Sequence, residues 1–128
     1  MAVKADISFG ELLDKISILE IKRTRVADAG QRRNIETELA ALTTVRAAEL
    51  PAPLDYADLF ARLKHVNQEL WSVEDALRDC ERRSLFDETF ITLARSVYRL
   101  NDERGRIKRE INERLGSTIV EEKLYAAY

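Results

Sequence analysis

Apolar residues recur along the middle of the chain at alternating steps of four and three: Leu59, Leu63, Val66, Leu70, Val73, Leu77 and Cys80. That spacing belongs to a helix packed along one seam. It predicts a helix from about Tyr56 to Arg83 with Asp55 as its N-cap. The next segment, about Glu88 to Leu115 behind an Asp87 N-cap, is helical in period but not in chemistry. On its inward side Asn101, Arg104, Lys108 and Asn112 alternate with Val97, Ile111 and Leu115. A charge left alone in a core costs several kcal/mol, so each of these groups must be paired, reach solvent or be hydrated.

The link Ser84 to Asp87 is short, which makes the two segments an antiparallel hairpin of matched arms, each about 42 Å long. Upstream, Ser8 and Glu11 form a capping box. Leu12, Ile16, Leu19 and Val26 then mark one face of a first helix that runs to about Asp28, with Gly30 as its stop. Ile18 and Ile21 lie roughly opposite, so this helix is apolar on two sides. It is either central, or its outer face meets another subunit. A second helix, about Gln31 to Glu49, turns Ile35, Leu39, Leu42 and Val45 inward and ends at Pro51 and Pro53. Gly116 closes the fourth helix. The tail, 117–128, carries Ile119, Val120, Leu124, Tyr125 and Tyr128, and Thr118 with Glu121 could cap one short helix there.

The expected fold is thus an all-α antiparallel bundle of four helices, about 9–28, 31–49, 56–83 and 88–115. It is built on a long helix 3–helix 4 hairpin with a short C-terminal tail, in a single domain spanning 1–128. Composition agrees: 45 % of the residues are hydrophobic and 34 % charged, with only four Gly and two Pro.

Charge narrows the partners. Twenty-one basic against 23 acidic residues leave a formal charge of −2, no global field for nucleic acid or anionic lipid. Arg95, Arg99, Arg106 and Arg109 form a basic strip on helix 4, but Asp102, Glu103 and Glu113 interleave it, as on a solvated face. No stretch approaches the ~18 apolar residues of a membrane span, and the first residues lack the apolar core of a signal peptide. A cytoplasmic protein without nucleic-acid or membrane partners is expected.

Catalytic motifs are missing. Cys80, the only cysteine, falls on the apolar stripe and reads as a small buried hydrophobe. His65, the only histidine, pairs at helical spacing with Glu69 on an outer face, too little for a metal site. There is no Glu-x-x-His pair, phosphate-cradling glycine loop or nucleophile elbow. No cofactor or metal is expected.

The polar residues of helix 4 remain as the candidate site. Across the hairpin, Glu74 lies level with about Tyr98 to Asn101 and is a candidate partner of Asn101 or Arg104. Three readings stand. The polar layer sets helix register, as polar core positions do in coiled coils; or it is part of a dimer interface; or Asn101, Arg104, Lys108 and Asn112, with Glu74 and Arg23, line an anion-binding pocket between helices. Small helical enzymes of the chorismate-mutase kind offer an architectural analogy for the last, without a motif to map.

Several runs carry a resemblance: Gly10 to Lys22, Leu70 to Asp75, Phe86-Asp87 with Phe90-Ile91, Leu93 to Tyr98, Asn101-Asp102, Ile107-Lys108 with Ile111-Asn112, and Glu121 to Lys123. In this combination the chain resembles an uncharacterised bacterial all-helical family of about this length, a domain of unknown function. Leu124 departs from it, standing where a small polar residue is expected. The resemblance implies an accessory role near glycan assembly, because such members are sometimes linked to surface-polysaccharide genes. It supplies no catalytic residue.

The function expected is a non-enzymatic helical scaffold or protein-interaction module. A homodimer is expected from the second apolar face of helix 1 and from helices 1 and 2 being too short to cover the hairpin. The alternative is a binder of an anionic metabolite, or a small enzyme acting on one.

Overall fold

The computed structural model describes all of residues 1–128. Four helices follow one another: α1 (Phe9–Arg25), α2 (Ala29–Glu49), α3 (Ala57–Arg82) and α4 (Glu88–Leu115). A single 3-10 turn, Pro53–Asp55, precedes α3. There is no strand, and α3 and α4 form the most extensive helix pair.

Local chemistry sets the boundaries. The Ser8 hydroxyl accepts from the Glu11 amide at 3.1 Å to open α1, while the other half of the expected capping box is absent because the Glu11 carboxylate turns to Lys108. Helix α1 ends three residues earlier than expected, since Asp28 is the N-cap of α2, accepting from the Gln31 amide at 2.8 Å. Gly30 is accordingly no stop but lies in the first turn of α2. Asp55 does not cap α3 either; it ends the 3-10 turn, and Tyr56 stands at the α3 N-cap without a side-chain bond. Asp87 caps α4 as expected, and Gly116 ends it at φ 72°, a left-handed conformation that suits glycine.

The core joins Leu12, Leu13, Ile16 and Leu19 of α1 to Leu39 of α2, to Leu59, Leu63 and Val66 of α3 and to Ile107 and Ile111 of α4. Helix α1 touches all three other helices, whereas α2 closely approaches α1 alone. The two apolar faces of α1 are therefore used inside one chain: Ile21 is buried and Ile18 half-buried. On α2 only Leu39 is buried, and Val45 faces solvent rather than the core.

Helices α1 and α2 cover one half of the hairpin. Between Gln68 and Arg106 only Cys80 is buried, so the part of α3 beyond Trp71 and the part of α4 before Leu100 project as a two-helix arm, which the tail meets only near its base at Tyr98. Each side of this arm runs about 18 Å. The tail forms no helix, contrary to the Thr118–Glu121 expectation, and lies back along α4, where the Tyr128 ring meets Tyr98 edge-on at 4.9 Å.

Candidate functional site: a polar layer between α1 and α4

The spacing of Asn101, Arg104, Lys108 and Asn112 puts them on one side of α4, and the fold turns that side toward α1. Asp14, buried on α1, is the anchor. Two nitrogens of Arg104 hold its carboxylate, Nε at 3.0 Å from Oδ1 and Nη2 on Oδ2. The Asn67 amide of α3 donates to the same Oδ1 and to the Ser17 hydroxyl, both at 2.8 Å, while Ser17 donates to the Asp14 carbonyl. A buried carboxylate is tolerated only with such a set of donors.

One turn on, Lys108 reaches three carboxylates. Its Nζ donates to Glu11 Oε2 at 2.6 Å and lies 3.7 Å from Asp14 Oδ2 and 3.8 Å from Glu121 Oε1 of the tail. Burial pushes the Glu11 carboxyl up, but the Lys108 hydrogen bond and charge, a hydrogen bond with Glu121 and the Lys15 charge outweigh it and hold the group below its ordinary value. The Arg104 guanidinium is raised, first by its hydrogen bond to Asp14, against burial and with help from the charges of Asp14, Glu11 and Glu121.

Asn112 completes the layer by accepting from the Gly10 amide at 2.7 Å. Glycine is required there: a Cβ on residue 10 would stand 2.6 Å from the Lys108 carbonyl oxygen and 3.0 Å from Asn112 Oδ1. The absence of a side chain lets the start of α1 press against the α4 backbone.

The model of one protein family, described as a family of unknown function (DUF6165), matches residues 3–128. The chain belongs to this family. No curated protein and no solved structure matches it.

In this DUF6165 member the six residues singled out by sequence separate into groups. Arg104, Lys108 and Asn112 come together on α1. Asn101 stands at the edge of the layer, its side-chain oxygen 3.5 Å from Arg104 Nη1 and its carbonyl 3.4 Å from Lys123 Nζ. Glu74 does not pair with Asn101 or Arg104; it holds Arg78 one turn along α3, at 3.0 Å on the surface. It does line, with Asn101, Arg104, Asn67 and Trp71, a cavity of about 600 Å³ where the arm leaves the bundle. Arg23 is exposed near the end of α1, away from that cavity.

Asp14, Ser17, Asn67 and Glu11 are the partners that sequence reasoning missed. A signal existed, because Gly10, Asp14 and Ser17 follow one another at steps of four and three, a short small or polar stripe beside the apolar one.

Elsewhere the chemistry is sparse. His65 and Glu69 form an exposed pair at 2.6 Å, and Cys80 is buried. No three His, Cys, Asp or Glu side chains group as metal ligands, and no helix is long and apolar enough to cross a membrane.

Proposed function

We propose that the chain is a non-catalytic interaction module that pairs with a second copy of itself through the projecting arm of the α3–α4 hairpin. One observation carries the reading: Val73 and Leu77 of α3 and Leu93 and Val97 of α4 are only half-buried along the arm, and Leu85, Phe86 and Ile91 toward its tip are exposed. Two helices bury an apolar seam from one side only. Two such hairpins laid together make a four-helix bundle, which buries it from both sides. The equal lengths of the two sides suit a two-fold arrangement, in which the same patch serves both partners.

The polar layer supports a scaffold as well. Its two cations, Arg104 and Lys108, already face three carboxylates, Glu11, Asp14 and Glu121. An anionic metabolite entering there would have to displace one of them. The layer reads as the device that fixes α1 against α4, leaving the arm as the working surface.

Sedimentation equilibrium of the full chain tests the pairing. A dimer populated at tens of micromolar is expected, and a monomer throughout that range overturns it.

A further inference from the structure

Asn67 stands at the cavity of about 600 Å³ where the arm leaves the bundle, and it is 5 % exposed. Both hydrogens of its amide nitrogen are spent, one on Asp14 Oδ1 and one on the Ser17 hydroxyl, each at 2.8 Å. Turning the amide over would set its oxygen against the Asp14 carboxylate, so the orientation is fixed. The other end, Oδ1, accepts from no group of the chain. It is not shut away either: the only enclosed side-chain oxygen or nitrogen without a partner is the Tyr56 hydroxyl, far along α3 from this place. Asn67 Oδ1 is therefore open, and the space that Asn67 lines is the cavity. A polar atom of a nearly buried side chain, free on the cavity side, marks a place where something else supplies the partner.

A donor stands beside this acceptor. Arg104 Nε and Asn67 Nδ2 meet on the same Asp14 oxygen, at 3.0 and 2.8 Å, so the two side chains are neighbours. Arg104 spends Nε and Nη2 on Asp14, whereas Nη1 has only a contact of 3.5 Å with Asn101 Oδ1, and the side chain is partly exposed. Ile18, Leu70 and Trp71 give the cavity an apolar wall.

Charge decides what fits. Arg104 is already neutralised by Asp14, and Arg78 on the rim by Glu74, while Asp75 adds a negative charge to the lining. No cation is spare for an anion. A carboxylate would also bring no hydrogen for Asn67 Oδ1, and an ammonium would meet the Arg104 guanidinium. A carboxamide carries a donor and an acceptor on adjacent atoms without net charge.

We infer that this cavity binds a small neutral molecule with a carboxamide on an apolar body, its N–H donating to Asn67 Oδ1 and its carbonyl accepting from Arg104 Nη1. The apolar body lies on Ile18, Leu70 and Trp71, as in most small-molecule sites, where a few placed polar groups fix orientation against an apolar wall.

Three molecules of nearly the same shape test it on the full chain: cyclohexanecarboxamide, cyclohexanecarboxylate and cyclohexylmethylamine. Trp71 is the only tryptophan, so its emission and its indole N–H resonance report on the cavity without a label. A saturable change with the carboxamide is expected, and half-saturation by the acid and the amine should be at least tenfold weaker, because each leaves one polar group of the site unpaired. Ile18→Phe, at a half-buried wall position, fills the space without touching Asn67 or Arg104 and should weaken the carboxamide at least tenfold. The isosteric series needs no variant and stands by itself. The site does not rest on pairing of the arms, so Ile91→Glu should bind the carboxamide like the parent. No saturable change with the carboxamide, equal response to all three molecules, undiminished binding in a folded Ile18→Phe chain, or loss of binding in Ile91→Glu would each overturn the inference.

Discussion

Arg104 of α4 grips with two nitrogens the carboxylate of Asp14, a residue 1 % exposed that lies ninety positions earlier on α1. The pair joins the first helix to the last. Removing one member of a buried pair is far costlier than replacing both, because the remaining charge is left in a poor solvent. Arg104→Met is therefore expected to destabilise the chain by about 3 kcal/mol, the low end of the range for broken buried pairs, since Lys108 and Asn67 still face Asp14. Asp14→Leu combined with Arg104→Met should recover much of that loss. Urea unfolding of the single and double variants measures both, and strictly additive losses would show that the two residues act independently.

Acid should loosen the same layer through Glu11. Its carboxyl sits below the ordinary value of 4.5 in the folded chain: burial raises it, but the Lys108 hydrogen bond and charge, Glu121 and Lys15 lower it further. A depressed folded value means the unfolded chain takes up the proton first. The stabilisation from Glu11 is then complete above pH 4.5 and is lost as pH falls through the lower folded value. Unfolding free energy measured at successive pH values below 5 should drop less steeply in Glu11→Gln than in the parent, by about one proton's worth of slope at most. Parallel curves would exclude Glu11 as a contributor.

The four helices were legible because apolar periodicity and capping residues act locally. Asp87 and Gly116 mark the ends of α4 in sequence and in space. Asp28 misled because one residue closes the gap between two helices: it reads as the end of α1 but its side chain caps α2. The inward side of α4 was legible from period alone, whereas its partners were not. Which carboxylate meets Arg104 depends on the height of α1 against α4, a tertiary quantity set by the close approach at Gly10. Hairpin register put Glu74 at a reasonable level, yet Arg78 one turn away on the same helix is the nearer cation. The orphan hydroxyl of Tyr56 had no sequence signature, because an unsatisfied group is defined only by what surrounds it.

Two glycines inside helices should respond oppositely to the same change. At Gly10 an added methyl meets the Lys108 backbone oxygen at 2.6 Å, and backbone yields only by shifting α1 off α4. Gly10→Ala is expected to cost about 2 kcal/mol, overpacking exceeding the gain in helix propensity. At Gly105 the methyl meets only the flexible end of the Lys123 side chain, at 2.9 Å. Lys123 swings aside at little cost, and Gly105→Ala should stabilise α4 by about 0.5 kcal/mol or slightly more. Thermal melts of the two variants, read side by side, check the contrast. A stabilised Gly10→Ala would mean that the start of α1 stands further from α4 than the geometry gives.

A charge at Ile91 tests the pairing proposed for the arm separately from the folding of the chain. It is 52 % exposed on α4, outside the main core, so a charge there costs the single chain little, about 0.5 kcal/mol or less. In a four-helix bundle of two arms the same position stands at the joint between copies, where a carboxylate would be desolvated without a partner. Ile91→Glu is expected to weaken dimerisation at least tenfold, roughly 1.4 kcal/mol or more, while leaving the urea midpoint of the monomer unchanged. Sedimentation equilibrium and urea unfolding at matched concentration distinguish the two effects. If Ile91→Glu and Phe86→Glu both dimerise like the parent, the contact between copies lies off the arm. The exposed apolar residues at its tip would then face a different partner or none.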